Sequence, residues 1–537
     1  MGDLIHEGRR RPLVPGRSLF DYADDLAVVV PASCKRTGRC HECVVEVRAG
    51  LDALSPRTEP EEFLRDPYRL ACQAAIVRAD EDVEIAVLRR RLRIVTHASG
   101  EVPDPDPLVV RDGDDVLYAG ERIDEWRGAI RGLAVDLGTT TIAWELVDLG
   151  TGDILHVGAI ENPQRFGGSD VISRIAYDTG PHTGELRQAV RKALNHELRE
   201  TYRELGIDRR TVYEAVVVGN ATMRDLFFGL DVTTIGARPF RSLVELEFRE
   251  GGRASTAIVA LAHELGILVN PSARIVGGPL IGSHVGADVA ADLLAVGFMS
   301  GPDPAMIIDV GTNTEVVVRA GDRLVTASCP AGPAFEGGSV RHGMAAAEGA
   351  IESVRHVDGR LTYETIGDVA PVGICGSGLV DLLAELARAD LMTPEGRFAG
   401  GASRIDVAPD EGIDFSRGDA SALAQAKAAN HCGAGILLRT LGLTSADLGR
   451  LYLAGAFASY IDVPNAIAIG FIPPVPEERV EKVGNASLRG ARIMLLSRSR
   501  RDDLDVLVRR IEHVELETHP DFFDLFVEGC RFIPIDV

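Results

Sequence analysis

Two stretches of this chain, GLAVDLGTTTIAWELV and AMIIDVGTNTEVVV, repeat one pattern with their acids 173 residues apart. Each is an apolar run that ends on an acid, Asp136 or Asp309, passes a small polar turn and returns as a second apolar run. That order predicts a strand, a tight turn and a strand. The first turn is Gly138-Thr139-Thr140; the second is Gly311-Thr312-Asn313, with Glu315 in the returning strand. Backbone N–H groups and hydroxyls on such turns make a concavity for phosphate oxygens. A carboxylate at the strand end is placed to hold magnesium through water, because that hard ion prefers oxygen ligands. A lone copy would serve equally well as a structural turn. Two copies predict two similar halves facing each other across a cleft, gripping one polyphosphate from both sides.

Two further elements belong with the hairpins. GICGSGLVDLLAEL places Gly376, Ser377 and Gly378 before a helix whose Leu379, Leu382, Leu383 and Leu386 follow i, i+3, i+4, i+7. Ser377 reads as its N-cap, and the free N–H groups of the first turn suit an anion or a ribose, although an ordinary capped helix is the alternative. LYLAGAFASY reads as a strand running into Gly455, Ala456 and Phe457, where small residues let a flat base approach the backbone. From Gly132 onward, apolar strands alternate with long helical stretches, an α/β signature.

Before that region stand Cys34, Cys40, Cys43 and Cys72, with five, two and twenty-eight residues between them. Three close thiolates and a distant fourth suit a 2Fe-2S cluster, in which each iron takes two protein sulfurs. A structural zinc is the rival, but zinc sites usually pair two short arms and only one is present; unliganded thiols are the third alternative. The β-rich runs Ala27–Val30, Val44–Val47 and Val83–Val87 suit a small β-grasp ferredoxin domain. After them HASGEVPDPDP cannot continue a helix or a central strand. The chain is therefore divided into a ferredoxin-like domain (1–95), a Pro- and acid-rich linker (96–130) and a two-halved domain (131–537).

A formal charge of −23 and a sequence pI near 5.0 would repel a nucleic-acid backbone. No stretch approaches the roughly 18 apolar residues of a membrane span. A cytoplasmic location is expected, where thiols stay reduced. Cys329, Cys375, Cys432 and Cys530 sit at no ligand spacing and read as packing residues.

In order, the two hairpins, the glycine-led helix and the strand-Gly-small turn resemble the ATPases of the acetate-and-sugar-kinase, heat-shock-chaperone and actin superfamily. With the cysteine module in front, the chain resembles the reductive activators of corrinoid-dependent methyltransferases. The segments ENPQRFGGSDVISRI, GNATMRDLFFGL, VGADVAADLL and GPAFEGG agree with that family. The fold it implies is a β-grasp 2Fe-2S ferredoxin domain fused to a duplicated actin-like (ribonuclease-H-like) ATPase domain. The function it implies is ATP-dependent one-electron reduction of a Co(II) corrinoid protein to Co(I), supplied by a ferredoxin, flavodoxin or reductase as external donor. ATP and Mg2+ would sit in the cleft, with Asp136 and Asp309 positioning the metal, and Asn220 and Glu336 are the other cleft polar groups to test. A homodimer is left open. Two other functions stay open: a metabolite kinase with a regulatory iron-sulfur domain, and a nucleotide sensor without turnover.

Overall fold

The computed structural model describes residues 2–88, 104–455 and 457–534. At the N-terminus β1 (Asp3–His6) and β2 (Arg9–Pro12) form a hairpin; β3 (Val44–Ala49), β4 (Tyr68–Leu70) and β5 (Val83–Val87) complete a sheet in the order β2-β1-β5-β3-β4. A helix, Leu19–Asp25, grips this sheet. Its start is set by a capping box: the Ser18 hydroxyl accepts from the Asp21 N–H, and the Asp21 carboxylate accepts from the Ser18 N–H. Leu19, Tyr22 and Ala23 then enter one core with Leu4, Val45, Leu70 and Ile85. This is the expected β-grasp arrangement. The run Ala27–Val30 is not a strand, however: it leaves the end of that helix, and Ala27 takes φ of +54°, which breaks an extended path.

Of the stretch read as a linker, residues 96–103 lie outside the described residues, and much of the rest is folded. β6 (Val109–Asp112), β7 (Asp115–Tyr118) and β8 (Glu121–Glu125) form an antiparallel sheet in that order. Tyr118 donates to Glu214 at 3.2 Å, and the Asp106 N–H donates to the Leu496 carbonyl at 2.7 Å. The prolines end before Val109, so they do not bar strands beyond it.

The remainder repeats one plan twice. β9 (Arg131–Leu137), β10 (Thr141–Asp148), β11 (Ile154–Glu161), β12 (Val212–Val218), β13 (Ile258–Leu261) and β14 (Arg274–Gly277) form a sheet in the order β11-β10-β9-β12-β14-β13. The second half begins with β15 (Ala305–Val310), β16 (Thr314–Ala320) and β17 (Arg323–Cys329). Small sheets follow, one of β18 (Ala350–Val357), β19 (Arg360–Thr365) and β20 (Gly373–Ile374), another of β21 (Arg404–Ala408) and β22 (Ile413–Ser416). β23 (Arg450–Ala454), β24 (Val480–Gly484) and β25 (Ile511–His513) complete the order β24-β23-β15-β16-β17-β25. In each half an antiparallel meander is extended, beyond its first strand, by two parallel strands. The matching plans are the structural form of the repeated sequence.

A helix from late in the sequence, Ala486–Leu496, returns to pack on the first sheet and against the helix Ala287–Ala295. Small residues allow the approach: a Cβ added to Gly490 would lie 2.1 Å from the Ala291 carbonyl oxygen. The same helix carries a buried ion pair to β10, Arg492 to Glu145 at 2.9 Å. Gly490→Val should push the two helices apart and cost about 1–3 kcal/mol through overpacking. Chemical denaturation of the purified protein checks this; an unchanged midpoint would mean that the helix pair relaxes freely.

Candidate functional site

Both hairpins form, and their tips touch. β9 ends beyond Asp136 and β10 begins at Thr141; β15 ends beyond Asp309 and β16 begins at Thr314. The hydroxyls of Thr140 and Thr312 lie 3.0 Å apart, and both donate to the Glu336 carboxylate, at 2.8 and 2.7 Å. Glu336 thus bridges the two turns. Thr139 accepts from Asn220 at 3.1 Å, and Asn220 also caps the helix Ala221–Phe228. The turns themselves are tight: a Cβ on Gly138 would stand 2.6 Å from the Thr141 carbonyl, and the Gly311 N–H donates to the Asn313 carbonyl at 3.1 Å.

Around these turns gathers a set of carboxylates, of which Asp288 and Asp292 are not revealed by the strand patterns. Asp136 accepts from Asn485 at 2.8 Å, and Asp292 from Ser487 at 2.9 Å. Asp288 and Asp292 stand four residues apart on one helix face, a spacing that is a readable signal only once the helix is known to face the cleft. Burial raises Asp136 to about 7, opposed by Asn485 and helped by the charge of Asp309. Burial likewise raises Asp309 to about 6, against the hydrogen bond from Asp292, and Asp288 to about 8, where Asp309 adds to the effect. Asp292 and Glu315 move up for the same reasons. Glu315 is held by Ser328 at 3.0 Å. Such a crowd of acids in little water favours shared protons or a cation.

The glycine-led helix runs Gly376–Arg388 with Cys375 at the cap position. Ser377 is therefore not the N-cap expected from the sequence; it lies inside the first turn, and its hydroxyl donates to the Glu352 carbonyl at 2.9 Å. Gly376 and Gly378 answer to packing: a Cβ on the first would fall 2.3 Å from the Phe335 carbonyl and the Phe457 ring, and on the second 2.3 Å from the Ile351 carbonyl. Gly455 takes φ of +98° and passes over the second hairpin, where a Cβ would stand 2.4 Å from the Val310 carbonyl and 3.2 Å from Asp309. Ala456 lies outside the described residues. Phe457 stacks on Phe335 with ring centres 6.0 Å apart. The third and fourth elements are thus packed on each other beside the second hairpin.

The four N-terminal cysteines converge as two pairs. Cys43 donates its thiol to Cys72 with the sulfurs 3.3 Å apart, and Cys34 hydrogen-bonds with Cys40. Among the described residues no three His, Cys, Asp or Glu side chains are set to hold a single ion. Two pairs fit a two-iron cluster better than one tetrahedral zinc. The loop that carries them is wound tightly: Lys35, Arg36, Gly38 and His41 all have positive φ, and a Cβ on Gly38 would meet Pro60 at 2.8 Å. Strain of this kind persists where the surroundings enforce it, commonly around a bound group. Burial opposes ionisation of Cys34, but bonds with Thr37 and Cys40 outweigh it and lower it to about 6; Cys72 falls to about 6 chiefly through Cys43.

Three family models cover most of the chain. One described as the C-terminal domain of RACo, the ASKHA domain, matches residues 303–537; one described as the RACo middle region matches 131–300; and the 2Fe-2S iron-sulfur cluster binding domain matches 5–77. The chain is 33% identical over 450 residues to a Eubacterium limosum protein named "Corrinoid activation enzyme RamQ", covering 78% of this chain and 74% of that one. It is 27% identical, over 74% of this chain and 76% of the relative, to a Methanosarcina barkeri protein named "[Co(II) methylated amine-specific corrinoid protein] reductase". A solved structure titled "Reductive activator for corrinoid,iron-sulfur protein" superposes with a TM-score of 0.72 at 28% identity, covering 99% of this chain and 98% of that one. These matches run through the cysteine module and both halves of the cleft, and the chain belongs to the family of reductive activators of corrinoid proteins, a 2Fe-2S ferredoxin domain fused to an ASKHA-type ATPase domain.

Proposed function

We propose that this chain restores a corrinoid protein from Co(II) to Co(I), passing one electron through a 2Fe-2S cluster while ATP is hydrolysed in the cleft. The observation that carries this reading is the likeness, over 99% of the chain, to a solved reductive activator, with the cysteine module and the duplicated cleft both included. A metabolite kinase leaves the cysteine module unexplained.

In this reading Cys34, Cys40, Cys43 and Cys72 hold the cluster, which supplies one-electron chemistry when bound. The hairpin residues Gly138, Thr139, Thr140, Gly311, Thr312 and Asn313 receive the phosphates. Asp136 and Asp309 orient magnesium through water, with Glu315 behind them. Gly376, Ser377, Gly378, Gly455, Ala456 and Phe457 are the residues assigned to the nucleoside. ATP is required where the transfer runs uphill: a one-electron gap of about 150 mV is roughly 3.5 kcal/mol. The external donor is a ferredoxin, flavodoxin or reductase, the setting is the cytoplasm, and the domain limits are 1–95, 96–130 and 131–537, with a homodimer as one assembly to test. Among the described residues no helix is long and apolar enough to cross a membrane.

The direct test mixes anaerobically prepared protein, a reductant, MgATP and a Co(II) corrinoid protein and follows the Co(I) absorption band; no ATP-dependent band would overturn the reading. Cys40→Ser should abolish the visible cluster spectrum and the reduction while nucleotide still binds. Asp309→Ala should reverse the pattern, keeping the spectrum and losing at least tenfold of the ATP-dependent rate.

A pH dependence follows from the raised carboxylates. Asp309, Asp136 and Asp288 keep their protons to about pH 6, 7 and 8 in the fold, whereas in the unfolded chain they ionise near about pH 4. The stability they contribute is whole below about pH 4 and is lost as pH rises through the range 6 to 8. A bound cation takes the place of those protons. The rise in melting temperature given by a magnesium–nucleotide analogue should therefore be larger at pH 8 than at pH 5.5, read by thermal-shift assay, and Asp309→Asn should flatten the difference.

A further inference from the structure

The buried turn Pro163–Gly167 touches the first phosphate hairpin on one side and the cluster domain on the other. Asn162, just before it, binds the hairpin twice: its N–H donates to the Thr140 carbonyl at 2.7 Å and its amide to the Gly138 carbonyl at 2.8 Å. The same amide group exchanges bonds with Gln164, at 3.2 Å to the Gln164 side-chain oxygen and 2.9 Å from the Gln164 N–H. Gln164 then donates to the Leu186 carbonyl at 3.2 Å, in the first turn of the helix Glu185–Leu205. Both side chains are fully buried.

That helix holds the cysteine loop. Lys192 donates to the Cys40 carbonyl at 2.6 Å and is steadied by Gln188 at 2.6 Å; Glu185 meets His41 at 3.1 Å. His41 stacks on Phe63 with ring centres 4.2 Å apart, and the Phe63 carbonyl accepts from Tyr177 at 2.5 Å. Arg165, beside Gln164, reaches Glu46 of β3 at 3.5 Å. An amide with no water to turn to cannot let go of one partner without leaving a buried polar group unpaired. A shift of the Gly138–Thr140 backbone is therefore carried by Asn162 and Gln164 into the helix, and by Lys192 into the loop around Cys40.

We infer that Gln164 and Lys192 are positioning residues that link nucleotide at the first hairpin to the electrostatic surroundings of the cluster. This rests on the function proposed above and supplies its coupling. A cation beside a cluster favours the reduced, more negative state, so moving the Lys192 ammonium toward or away from Cys40 moves the reduction potential. Helix displacement is the means; the source is the hairpin.

The test is an anaerobic redox titration of the full-length, cluster-loaded protein, followed by electron paramagnetic resonance, with and without the magnesium complex of a non-hydrolysable ATP analogue. The native protein should show a nucleotide-dependent shift of midpoint potential. Gln164→Leu should lose that shift with iron content unchanged and analogue affinity within threefold. Lys192→Met, on a half-exposed side chain that tolerates replacement, should move the nucleotide-free potential negative and at least halve the shift; it decides alone should Gln164→Leu not fold. No shift in the native protein, or a full shift in both variants, overturns the inference. Failure of the proposed function reads differently, as absence of the Co(I) band with the shift and its loss in the variants still present.

Discussion

Two threonine hydroxyls sharing one carboxylate tie the two hairpins together. Thr140 and Thr312 come from opposite hairpins, and Glu336 comes from neither. Because each hydroxyl is at the tip of a turn braced by its own strands, the bridge joins two braced turns rather than two loose loops. In the function proposed above these same turns receive the phosphates, so in that reading seating a polyphosphate would part these contacts. The carboxylates behind the bridge press in the same direction, since burial and mutual repulsion leave them better off with a cation between them than alone.

What the sequence discloses and what it hides differ for physical reasons. The hairpins are legible because strand period, terminal acid and small polar turn are local signals, and their repetition is visible at any distance. The four cysteines are legible because ligand spacing is a property of chain length. Asp288 and Asp292 are not, since acids four apart on a helix are also what an ordinary solvated face carries, and only the fold turns that face toward the hairpins. Ser377 misleads because a serine near a helix start is usually a cap, while here Cys375 lies at the cap position and the serine hydroxyl finds a backbone carbonyl instead. The sheet at 109–125 is hidden behind prolines that end just before it, and Ala27–Val30 has strand composition but the backbone of a turn.

Three buried ion pairs tie segments of the fold together. Arg69 pairs with Glu61 at 2.8 Å beside the β4 strand, Arg492 with Glu145 of β10, and Arg501 with Glu214 at 2.8 Å beneath Tyr118. Desolvation offsets much of their attraction, so their net stabilisation is small. Their effect is on alternatives: any slipped arrangement leaves a charge buried without its partner.

The anchoring of Asp106 to Leu496 has a consequence for reach. Seventeen residues separate Leu88, the last described position of the cysteine module, from Asp106. A fully drawn-out chain of that length spans at most about 60 Å. Whatever path those residues take, the two ends cannot part by more than that, which bounds how far the cysteine module can stand from the Asp106 anchor.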